Sequence, residues 1–442
     1  MLGRSFLFFL VLVCLVNAFS SFGHQKARVS NRWMVSTSSS ATRTGALPVT
    51  SDYLELLLNR VPMIDVRAPI EFEAGALPFA INLALLSDSE RHRVGICYKQ
   101  SGQDAAIKLG HKIVSGSVRT DRVSSWKKVV DEHPNVVLYC ARGGLRSQTS
   151  QQWLAEEGVF ISRVEGGFQS LRSFMTQYLS DSCSNPNFLL LSGMTGTGKT
   201  DMLKSLRNGI SGVSCMDLEG YANHKGSSFG APLDAQPPQI DFEHNLVLDL
   251  IQIQELRRRE GREGRTVLED ESSFLGRRHV PIPLVKAMRV SPRVVVEVPF
   301  EERIEKLWNE YVVGRYSETY EYFIHKKKLE GGKALEIEQL EEVDNAFGNH
   351  LRGSLSRIKK RLSKPLYDEI MVMMDHALLV QHIDGFAAHR HWLRIVTAEY
   401  YDKMYTYTLE KQKDSIVFTG SKEEVLQFLV SSSSTIELPA GN

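Results

Sequence analysis

Cysteine is scarce in this sequence: five of the 442 residues are cysteine, which excludes a scaffold held together by disulfide bonds. Long apolar runs are also missing. The longest run, Phe6–Val16, has eleven residues, whereas a membrane-spanning helix needs about 20. Neither sign of charge is in excess, because 53 basic residues face 52 acidic ones. The chain therefore lacks the overall basic field that marks many nucleic-acid-binding proteins.

Acidic residues are absent from the start of the chain, and Asp52 is the first. A basic residue, the run Phe6–Val16 and the small residues that follow are typical of a signal peptide. Ser20–Ser51 is rich in Ser, Thr and Arg, which is the composition of a transit peptide. We predict that residues 1–50 form a two-part targeting leader outside the fold. Such a leader resembles those of plastid proteins; the alternative destination is the mitochondrion.

The chain after the leader is slightly acidic. Without the five basic residues that precede Asp52, 48 basic and 52 acidic residues remain, a net charge of −4. We expect this mature protein to be soluble, and any RNA binding must use a local basic face. Basic clusters lie at Arg257–Arg259, Lys326–Lys328 and Arg357–Arg361. Each cluster is either a solvated surface or part of an RNA-backbone track.

Apolar runs that alternate with helical patterns predict an α/β protein with parallel sheets. The predicted strands are Val61–Arg67, Ala80–Ala84, Asn135–Cys140, Phe188–Ser192, Arg265–Glu271 and Ser291–Phe300. A polar stretch with breaker residues separates the first three strands from the others. The predicted segments are a first domain over 51–180, a linker over 181–187, a second domain over 188–345 and a helical C-terminal region over 346–442.

Cys140 stands where a predicted strand ends and a helical pattern begins. Gly143 and Gly144 allow the intervening backbone to curl, so that several N–H groups face one point. Arg142 and Arg146 add positive charge. Such surroundings stabilise a thiolate or a persulfide. The alternative is a buried strand-end cysteine beside an ordinary turn.

Three segments of the first domain together resemble a rhodanese domain, the family that carries sulfur on a cysteine. These segments are Asp65-Val-Arg67, Cys140-Ala-Arg-Gly-Gly-Leu-Arg146 and Val164-Glu-Gly-Gly167. Phosphatases use a similar cysteine loop to bind phosphate, but the three segments together favour the rhodanese family. A second thiol, Cys97, lacks neighbouring glycine-arginine pairs. We interpret Cys97 as structural, with a resolving thiol or second sulfur carrier as the alternative.

The second domain begins with a phosphate-binding motif. Gly193-Met-Thr-Gly-Thr-Gly-Lys-Thr200 follows a strand pattern and precedes a helical one, which is the strand–loop–helix context of a P-loop. Backbone N–H groups and the helix N-terminus favour a diphosphate or triphosphate there, and Lys199 neutralises its charge. Thr200 is placed to bind Mg²⁺, the one cofactor that the motif suggests. The predicted phosphate-binding residues are Gly193, Thr195, Gly196, Gly198, Lys199 and Thr200.

Two polar segments are predicted to border the P-loop. One strand ends in Glu269-Asp270-Glu271; we favour Asp270, and next Glu269, as a residue that binds magnesium or orients water. The alternative is that these acids are solvated at the end of the strand, and the sequence does not identify a definite metal ligand. The other segment, Asp217–Gly230, combines acids, a histidine, a lysine and three glycines, and polar loops at the mouth of a sheet commonly bind ligands. Its predicted substrate-binding residues are Asp217, Glu219, His224 and Lys225.

Tyrosines cluster near the C-terminus. Tyr400, Tyr401, Tyr405 and Tyr407 lie within eight residues. They either stack on an unpaired RNA base or pack a C-terminal helix.

The order of the two domains, with further short motifs, resembles the tRNA 2-selenouridine synthase family over about Pro48–Gly420. The further motifs are Asp65–Phe72, Val94–Lys99, Leu109–His111, Cys140–Ser147, Val164–Phe168, Asp217–Gly220, His224–Ser227, Leu268–Ser272 and Glu399–Asp402. The chain departs from the family at Lys403, where the pattern Tyr-Asp-Pro-Met-Tyr has proline. A rhodanese-like domain followed by a P-loop NTPase-like domain is the fold that this resemblance implies.

The resemblance implies an enzyme that modifies 2-thiouridine at the wobble position of tRNAs for Lys, Glu and Gln. It implies transfer of a geranyl group from geranyl diphosphate to the sulfur, and then replacement of the S-geranyl group by selenium from selenophosphate. Cys140 is then needed for selenium transfer, and the P-loop binds a diphosphate. Two alternatives stay open: an ATP-dependent rhodanese-type tRNA sulfurtransferase, and a non-enzymatic scaffold that binds tRNA or a sulfur-relay partner.

Overall fold

The computed structural model describes residues 46–208, 213–329 and 337–431. Almost all of the predicted leader lies outside these ranges. Within them, no helix has both the length and the apolar character needed to cross a membrane.

The described residues contain twelve strands and seventeen α-helices, besides two π-helices and two 3-10 helices. The strands are β1 (Val49–Thr50), β2 (Met63–Asp65), β3 (Ala80–Asn82), β4 (Val137–Tyr139), β5 (Arg163–Val164), β6 (Phe188–Gly193), β7 (Ser214–Met216), β8 (Thr266–Glu269), β9 (Phe274–Leu275), β10 (Arg278–His279), β11 (Arg293–Val296) and β12 (Ile416–Gly420). The helices are α1 (Tyr53–Leu58), α2 (Pro69–Glu73), α3 (Asp88–Ile113), α4 (Ser117–Glu132), α5 (Leu145–Glu156), α6 (Gly167–Ser184), α7 (Lys199–Asn208), α8 (Leu218–Ala222), α9 (Gln239–Glu260), α10 (Ile282–Val290), α11 (Phe300–Trp308), α12 (Arg315–Leu329), α13 (Ile337–Ile358), α14 (Lys364–Asp384), α15 (His389–Val396), α16 (Lys403–Lys411) and α17 (Lys422–Ser431).

The first domain contains a five-stranded sheet in the order β1-β5-β4-β2-β3, and every pairing is parallel. Its central strands β2 and β4 are buried along their whole length, because helices cover both faces of the sheet. Ile64, Leu138 and Trp126 pack on one face, whereas Met63 and Val137 contribute to the core on the other. All three strands predicted in this domain are present, although each is shorter than its apolar pattern.

The second domain contains a five-stranded parallel sheet in the order β12-β11-β6-β8-β7. The predicted α/β class with parallel sheets is therefore confirmed. β6, which leads into the P-loop, is central and wholly buried. The edge strand β12 comes from the C-terminal region, and α17 packs beside it. The boundary predicted at residue 345 does not separate this region from the sheet, because β12 returns to pair with β11.

The two domains are joined by one apolar core. Residues 181–184, predicted as part of a linker, continue α6 to Ser184, so only residues 185–187 separate α6 from β6. The apolar face of α6 lies against α9 and α10 and buries Leu171, Leu179 and Cys183. The same core includes side chains from both sheets. The prediction of a polar linker is wrong over these four residues because Cys183 lies on the buried side of the helix.

A second large core belongs to the helices of the C-terminal half. Phe347, Met374 and Trp392 are buried in it, and Phe229 inserts from the predicted substrate loop. The ring of Phe229 stacks on Trp392 with ring centroids 5.4 Å apart. The helical layer is thereby fixed against the mouth of the second sheet, where the P-loop lies.

Candidate functional site

Cys140 follows β4 directly, at the carboxyl end of the first parallel sheet. Its side chain is buried, with 3% of the residue exposed. The thiol lies against the first turn of α5: Sγ is 3.3 Å from Ser147 Oγ, which itself donates to the carbonyl oxygen of Gly144 at 3.0 Å. The thiol is therefore held in one position by the start of the helix.

Glycine is required at two points of the cysteine loop. Gly143 has φ +61°, and a Cβ there would lie 2.6 Å from the backbone nitrogen of Gly166. Gly167 has φ +60°, and a Cβ there would overlap the carbonyl oxygen of Cys140. The same carbonyl accepts a hydrogen bond from the N–H of Phe168 at 2.9 Å. Two of the predicted motifs thus pack backbone to backbone around Cys140.

The two arginines of the loop have different environments. Arg146 forms a paired contact with the Glu71 carboxylate, and Nη2 lies 3.0 Å from Oε1. Glu71 also contacts Arg91 at 2.9 Å. Burial alone would raise the pKa of Glu71, but the hydrogen bonds and charge of Arg146 bring it below its ordinary value. Arg142 is exposed and has no hydrogen bond or ion pair with the described residues. Arg142, rather than Arg146, is therefore the cation free to meet an anion.

A groove of about 780 Å³ lies between α3 and the cysteine loop. Arg142 and Trp153 line it, together with parts of the Val94–Lys99 and Leu109–His111 motifs. Neither Cys97, half-buried on α3, nor Cys140 is among the lining residues, and both are free thiols. The structure thus gives no contact that would make Cys97 a partner of Cys140.

The P-loop connects β6 to α7 and borders a cavity of about 790 Å³. Lys199 Nζ donates to the carbonyl oxygen of Gly193 at 3.0 Å, and Thr200 Oγ1 donates to Glu219 Oε2 at 2.9 Å. The predicted residues that line this cavity are Thr195, Gly196, Gly198, Lys199, Thr200, Glu219, His224 and Lys225. Gly193 and Asp217 are not among the lining residues, and Asp217 caps α8 by accepting from the N–H of Gly220 at 2.7 Å.

The three acids at the end of β8, Glu269, Asp270 and Glu271, point to different sides. Asp270, the favoured metal or water ligand, accepts hydrogen bonds from Ser192 and from Arg293 Nε at 3.0 Å, and it does not line the cavity. Glu271, which the sequence prediction did not select, lines the cavity. Glu269 is fully buried and accepts from the N–H of Glu219 at 3.3 Å. Glu269 and Glu271, rather than Asp270, are therefore the candidates for binding a metal ion or orienting water. Side chains alternate between the two faces of a strand, and this alternation could have separated Asp270 from its neighbours in the sequence.

These carboxyl groups lie close enough to affect each other's ionisation. Burial, followed by the negative charges of Glu219 and Asp217, raises the pKa of Glu269 to about 8. Burial and the charge of Glu219 also raise the pKa of Glu271. Among the described residues, no group of three or more His, Cys, Asp or Glu side chains is arranged to hold a metal ion. Glu269 Oε1 is buried without a hydrogen-bond partner in these ranges.

The residues of this site are compatible with Mg²⁺ bound mainly through the phosphate groups of a ligand. That ion is commonly bound by one or two protein oxygens, with phosphate oxygens and waters completing its shell. Thr200 and Glu219 are hydrogen-bonded to each other at the cavity wall, and the carboxylate of Glu269, which accepts from the N–H of Glu219, has one oxygen without a partner among the described residues. The acids present can therefore supply the one or two ligands, although they do not make a metal site by themselves.

Sequence reasoning missed several side chains from the helical layer. Lys306, Tyr311 and Tyr405 line the P-loop cavity, and Lys199 Nζ lies 5.5 Å from the centroid of the Tyr405 ring. No local pattern marks Lys306 or Tyr311, because their helices reach the P-loop only through tertiary packing. Tyr405 belongs to the noted tyrosine cluster.

A buried ion pair links the Glu399–Asp402 motif to the P-loop. Arg303 donates to both carboxylate oxygens of Asp402, at 2.8 and 2.7 Å, and to the carbonyl oxygen of Thr195 at 3.1 Å. Lys403, which stands where the family has proline, begins α16 and pairs with Glu399. The departure from the family pattern thus leaves the contact between Arg303 and Asp402 intact.

Of the remaining residues predicted to contact nucleic acid, some pack inside the protein and others are exposed on its surface. Tyr401 is buried and its hydroxyl lies 2.6 Å from Ser228 Oγ, so it packs the helical layer, whereas Tyr407 is exposed. Arg257 is bound to the carbonyl oxygen of Arg265 at 2.6 Å. The side chains of Lys359–Arg361 are exposed at the end of α13.

Comparison with known proteins agrees with both halves of the molecule. A family profile described as the tRNA 2-selenouridine synthase AAA domain matches residues 186–435, more than half of the chain. A second profile, described as a rhodanese-like domain, matches residues 50–173. The two matches follow the same order as the two parallel sheets.

Three bacterial relatives, each named tRNA 2-selenouridine synthase, align over most of the chain. The protein of Pseudomonas syringae pv. syringae is 44% identical over 381 residues, which are 86% of this chain and 97% of its own. That of Azotobacter vinelandii is 43% identical over 382 residues, with 86% and 96% covered. That of Shewanella woodyi is 40% identical over 386 residues, with 87% and 97% covered. On these matches, the chain belongs to the tRNA 2-selenouridine synthase family.

Proposed function

We propose that this protein is a transferase that converts 2-thiouridine at the wobble position of tRNAs for Lys, Glu and Gln into 2-selenouridine. The observation that carries the proposal is the joining of two loops in one chain: a thiol loop around Cys140 and a phosphate-binding loop around Lys199, held by one shared apolar core. The relatives named tRNA 2-selenouridine synthase support it.

The first step is transfer of a geranyl group from geranyl diphosphate. The thiocarbonyl sulfur attacks C1 of the geranyl group, a C–S bond forms, and the C–O bond to diphosphate breaks with its electron pair. Lys199 and the backbone N–H groups of the P-loop stabilise the leaving diphosphate. Thr200 and Glu219 would hold Mg²⁺, which when bound offsets part of the diphosphate charge.

The N3 proton of the base must leave in this step, because the S-alkylated uracil is neutral only without it. His224 lines the same cavity, and because its Nδ1 is shielded from solvent, Nε2 is the ring nitrogen left for a ligand. Burial, with smaller contributions from nearby arginines, lowers the pKa of His224, so the imidazole is neutral at pH 7. A neutral imidazole nitrogen in this position is a suitable acceptor for the proton.

The second step exchanges sulfur for selenium and is assigned to the Cys140 loop. Water attacks the phosphorus of selenophosphate, the P–Se bond breaks, and phosphate and selenide are released. Selenide then bonds to C2 of the uracil, and the C2–S bond breaks as geranylthiol leaves. Cys140 stabilises the selenium nucleophile, which remains at the selenide oxidation level throughout, so that the exchange needs no oxidant or reductant. Arg142, the free cation of the loop, is placed to attract the selenophosphate anion.

Nucleoside mass spectrometry tests the proposal directly. The substrate is a tRNA anticodon stem-loop that contains 2-thiouridine, incubated with residues 48–442, first with geranyl diphosphate and then with selenophosphate. We expect a gain of one geranyl group and then its exchange for selenium. A stem-loop with unmodified uridine is the control, because it lacks the nucleophilic sulfur. An unchanged thiolated stem-loop with both donors present would refute the proposal.

A second candidate function is an ATP-dependent rhodanese-type tRNA sulfurtransferase. Intact Lys199 and Thr200 favour it, since a P-loop of this kind binds a triphosphate equally well. It requires ATP turnover that rises when tRNA is added. Lack of ATP binding in equilibrium dialysis, with geranyl diphosphate as the competing ligand, would exclude it.

We also propose that the leader delivers the protein to a plastid, with the mitochondrion as the alternative. The support is compositional only: an apolar run followed by an acid-free stretch rich in Ser and Arg. Fusion of residues 1–50 to a fluorescent protein, followed by imaging with organelle markers, distinguishes the two destinations.

A further inference from the structure

The first domain has a groove that the phosphate chemistry does not use. It lies between α3 and the loop after Cys140, has a volume of about 780 Å³, and shares no lining residue with the P-loop cavity. Ligand sites of small molecules commonly have volumes of this size. The groove is thus large enough for an organic ligand and lies beside the loop assigned to the selenium step.

The walls of this groove are mainly apolar. Most of their accessible surface belongs to carbon atoms, with Val94, Ile107 and Trp153 among the contributing side chains. Ile96 and Leu145 are 42% and 48% exposed at the groove, so an apolar ligand there would bury them. By contrast, most residues that line the P-loop cavity are polar or charged, with Lys199, Glu219 and Glu271 among them. The groove also contains the basic residues Arg91, Lys99 and Arg142, so it suits a nucleotide that carries both an apolar chain and phosphate groups.

Two glycines keep the groove open on the side of α3. Gly95 and Gly110 both line it, and a Cβ added at either position would meet no atom within 4 Å. Neither has a positive φ, in contrast to Gly102, whose φ of +83° interrupts the same helix. Glycine is unfavourable in the interior of a helix, and here neither the backbone nor a close neighbour requires it. The space itself explains both glycines.

We infer that this groove binds the terpenyl chain of the S-terpenyl wobble nucleotide during the exchange of sulfur for selenium. The inference rests on the proposed function, because the terpenyl intermediate belongs to it. An apolar chain on the sulfur would lie along α3 and cover Ile96 and Leu145. The reacting C2–S bond would then stand at the end of the groove lined by Arg142, in the loop that follows Cys140.

The test fills the groove without disturbing the protein around it. Gly95→Leu and Gly110→Leu each start from a Cβ position with no atom within 4 Å, and leucine is favourable in a helix. Lys108→Leu is the matched control, since Lys108 is exposed on the same helix and does not line the groove. Gly110→Ala is the mild variant, because a single methyl group leaves most of the groove open.

The measurement is equilibrium binding of chemically prepared anticodon stem-loops that carry S-geranyl or S-methyl 2-thiouridine. We expect the wild-type protein to bind the S-geranyl stem-loop about tenfold or more tightly than the S-methyl one, because more apolar surface is buried. Gly95→Leu and Gly110→Leu should abolish this preference, whereas Lys108→Leu and Gly110→Ala should retain it. Circular dichroism of each variant verifies that it is folded.

A photoreactive group at the end of the terpenyl chain gives a second readout that needs no substitution. Crosslinked peptides from α3 or α5 would support the inference, and crosslinks confined to residues 188–329 would overturn it. Retention of the S-geranyl preference by both leucine variants would also overturn it. Failure of the proposed function looks different: the wild-type protein would then form no geranylated or selenated nucleoside from the thiolated stem-loop.

Discussion

At the scale of single residues, the two loops divide the chemistry. Cys140 is held by the first turn of α5, and Lys199 lies over the mouth of the second sheet. No residue lines both cavities among those that the structure describes. Substitutions at the two loops should therefore affect different steps of the proposed reaction.

Replacement of the thiol tests this division. We expect Cys140→Ser to lower selenation by about a hundredfold or more and to leave geranylation near its normal rate, since the P-loop chemistry does not need the thiol. Product nucleosides are quantified by mass spectrometry after each step. Cys97→Ser, a half-buried thiol outside the groove, should keep both activities. Loss of both activities in Cys140→Ser would show that the two domains share one active site.

Removal of the P-loop cation tests the other cavity. We expect Lys199→Ala to weaken binding of geranyl diphosphate by about tenfold or more, because a charged partner of the leaving group is lost. Isothermal titration calorimetry measures the dissociation constant. Lys364→Ala, at an exposed position at the start of α14, provides the control. Unchanged affinity in Lys199→Ala would place the diphosphate elsewhere.

Glu269 should make stability depend on pH in an unusual direction. Its folded pKa is about 8, above the ordinary value of 4.5, because burial and nearby carboxylates disfavour the charge. The folded protein therefore holds this proton more strongly than the unfolded chain, and the contribution to stability falls as pH rises from about 4.5 to 8. We expect Glu269→Gln to have a flatter melting-temperature profile between pH 5 and 8. A slope as steep as that of the wild-type protein would contradict this.

At the scale of elements, local sequence predicts the strand–loop–helix units well. The cysteine loop and the P-loop lie where the apolar runs and glycines predict them, because the conformation of each loop is determined by neighbouring residues in the sequence. Among the predictions that the structure corrects are those for Arg146, the C-terminal region and Asp270. Each of these depends on contacts between residues that are distant in the sequence. Arg146 is neutralised by Glu71, which is 75 residues away, and β12 joins a sheet whose other strands precede it by more than 100 residues. The face to which Asp270 points depends on the register of β8 in its sheet.

The pair Arg303–Asp402 connects two such elements, and its loss should be costly. Both side chains are largely buried, and Arg303 also holds the carbonyl oxygen of Thr195 in the P-loop. We expect Asp402→Asn to destabilise the protein by about 3 kcal/mol, since an uncompensated charge is left in the interior. Binding of geranyl diphosphate should weaken in parallel. Urea unfolding and calorimetry measure the two effects. Glu399→Gln is the control, because its carboxylate pairs with the exposed Lys403 and not with Arg303.

At the scale of the whole molecule, the two domains pack against each other through one shared apolar core. Side chains from both sheets and from α6 contribute to it, and the ion pairs Arg60–Asp249 and Arg172–Glu243 cross the same boundary. The backbone N–H of Ala76 in the first domain also donates to Asp241 in the second at 2.7 Å. A wobble nucleotide that visits both loops would thus meet two sites at a fixed separation.

This unity predicts how the molecule unfolds. Leu179 on α6 is 4% exposed in the shared core, and Leu179→Ala should cost about 2–5 kcal/mol through the cavity it leaves. If the domains unfold together, differential scanning calorimetry will show a single transition, and the substitution will shift all of it. Leu154→Ala, which lies in the separate core on the other face of the first sheet, should shift the same transition. Two transitions, with Leu154→Ala moving only one of them, would show that the domains are independent and that the distance between the two loops varies in solution.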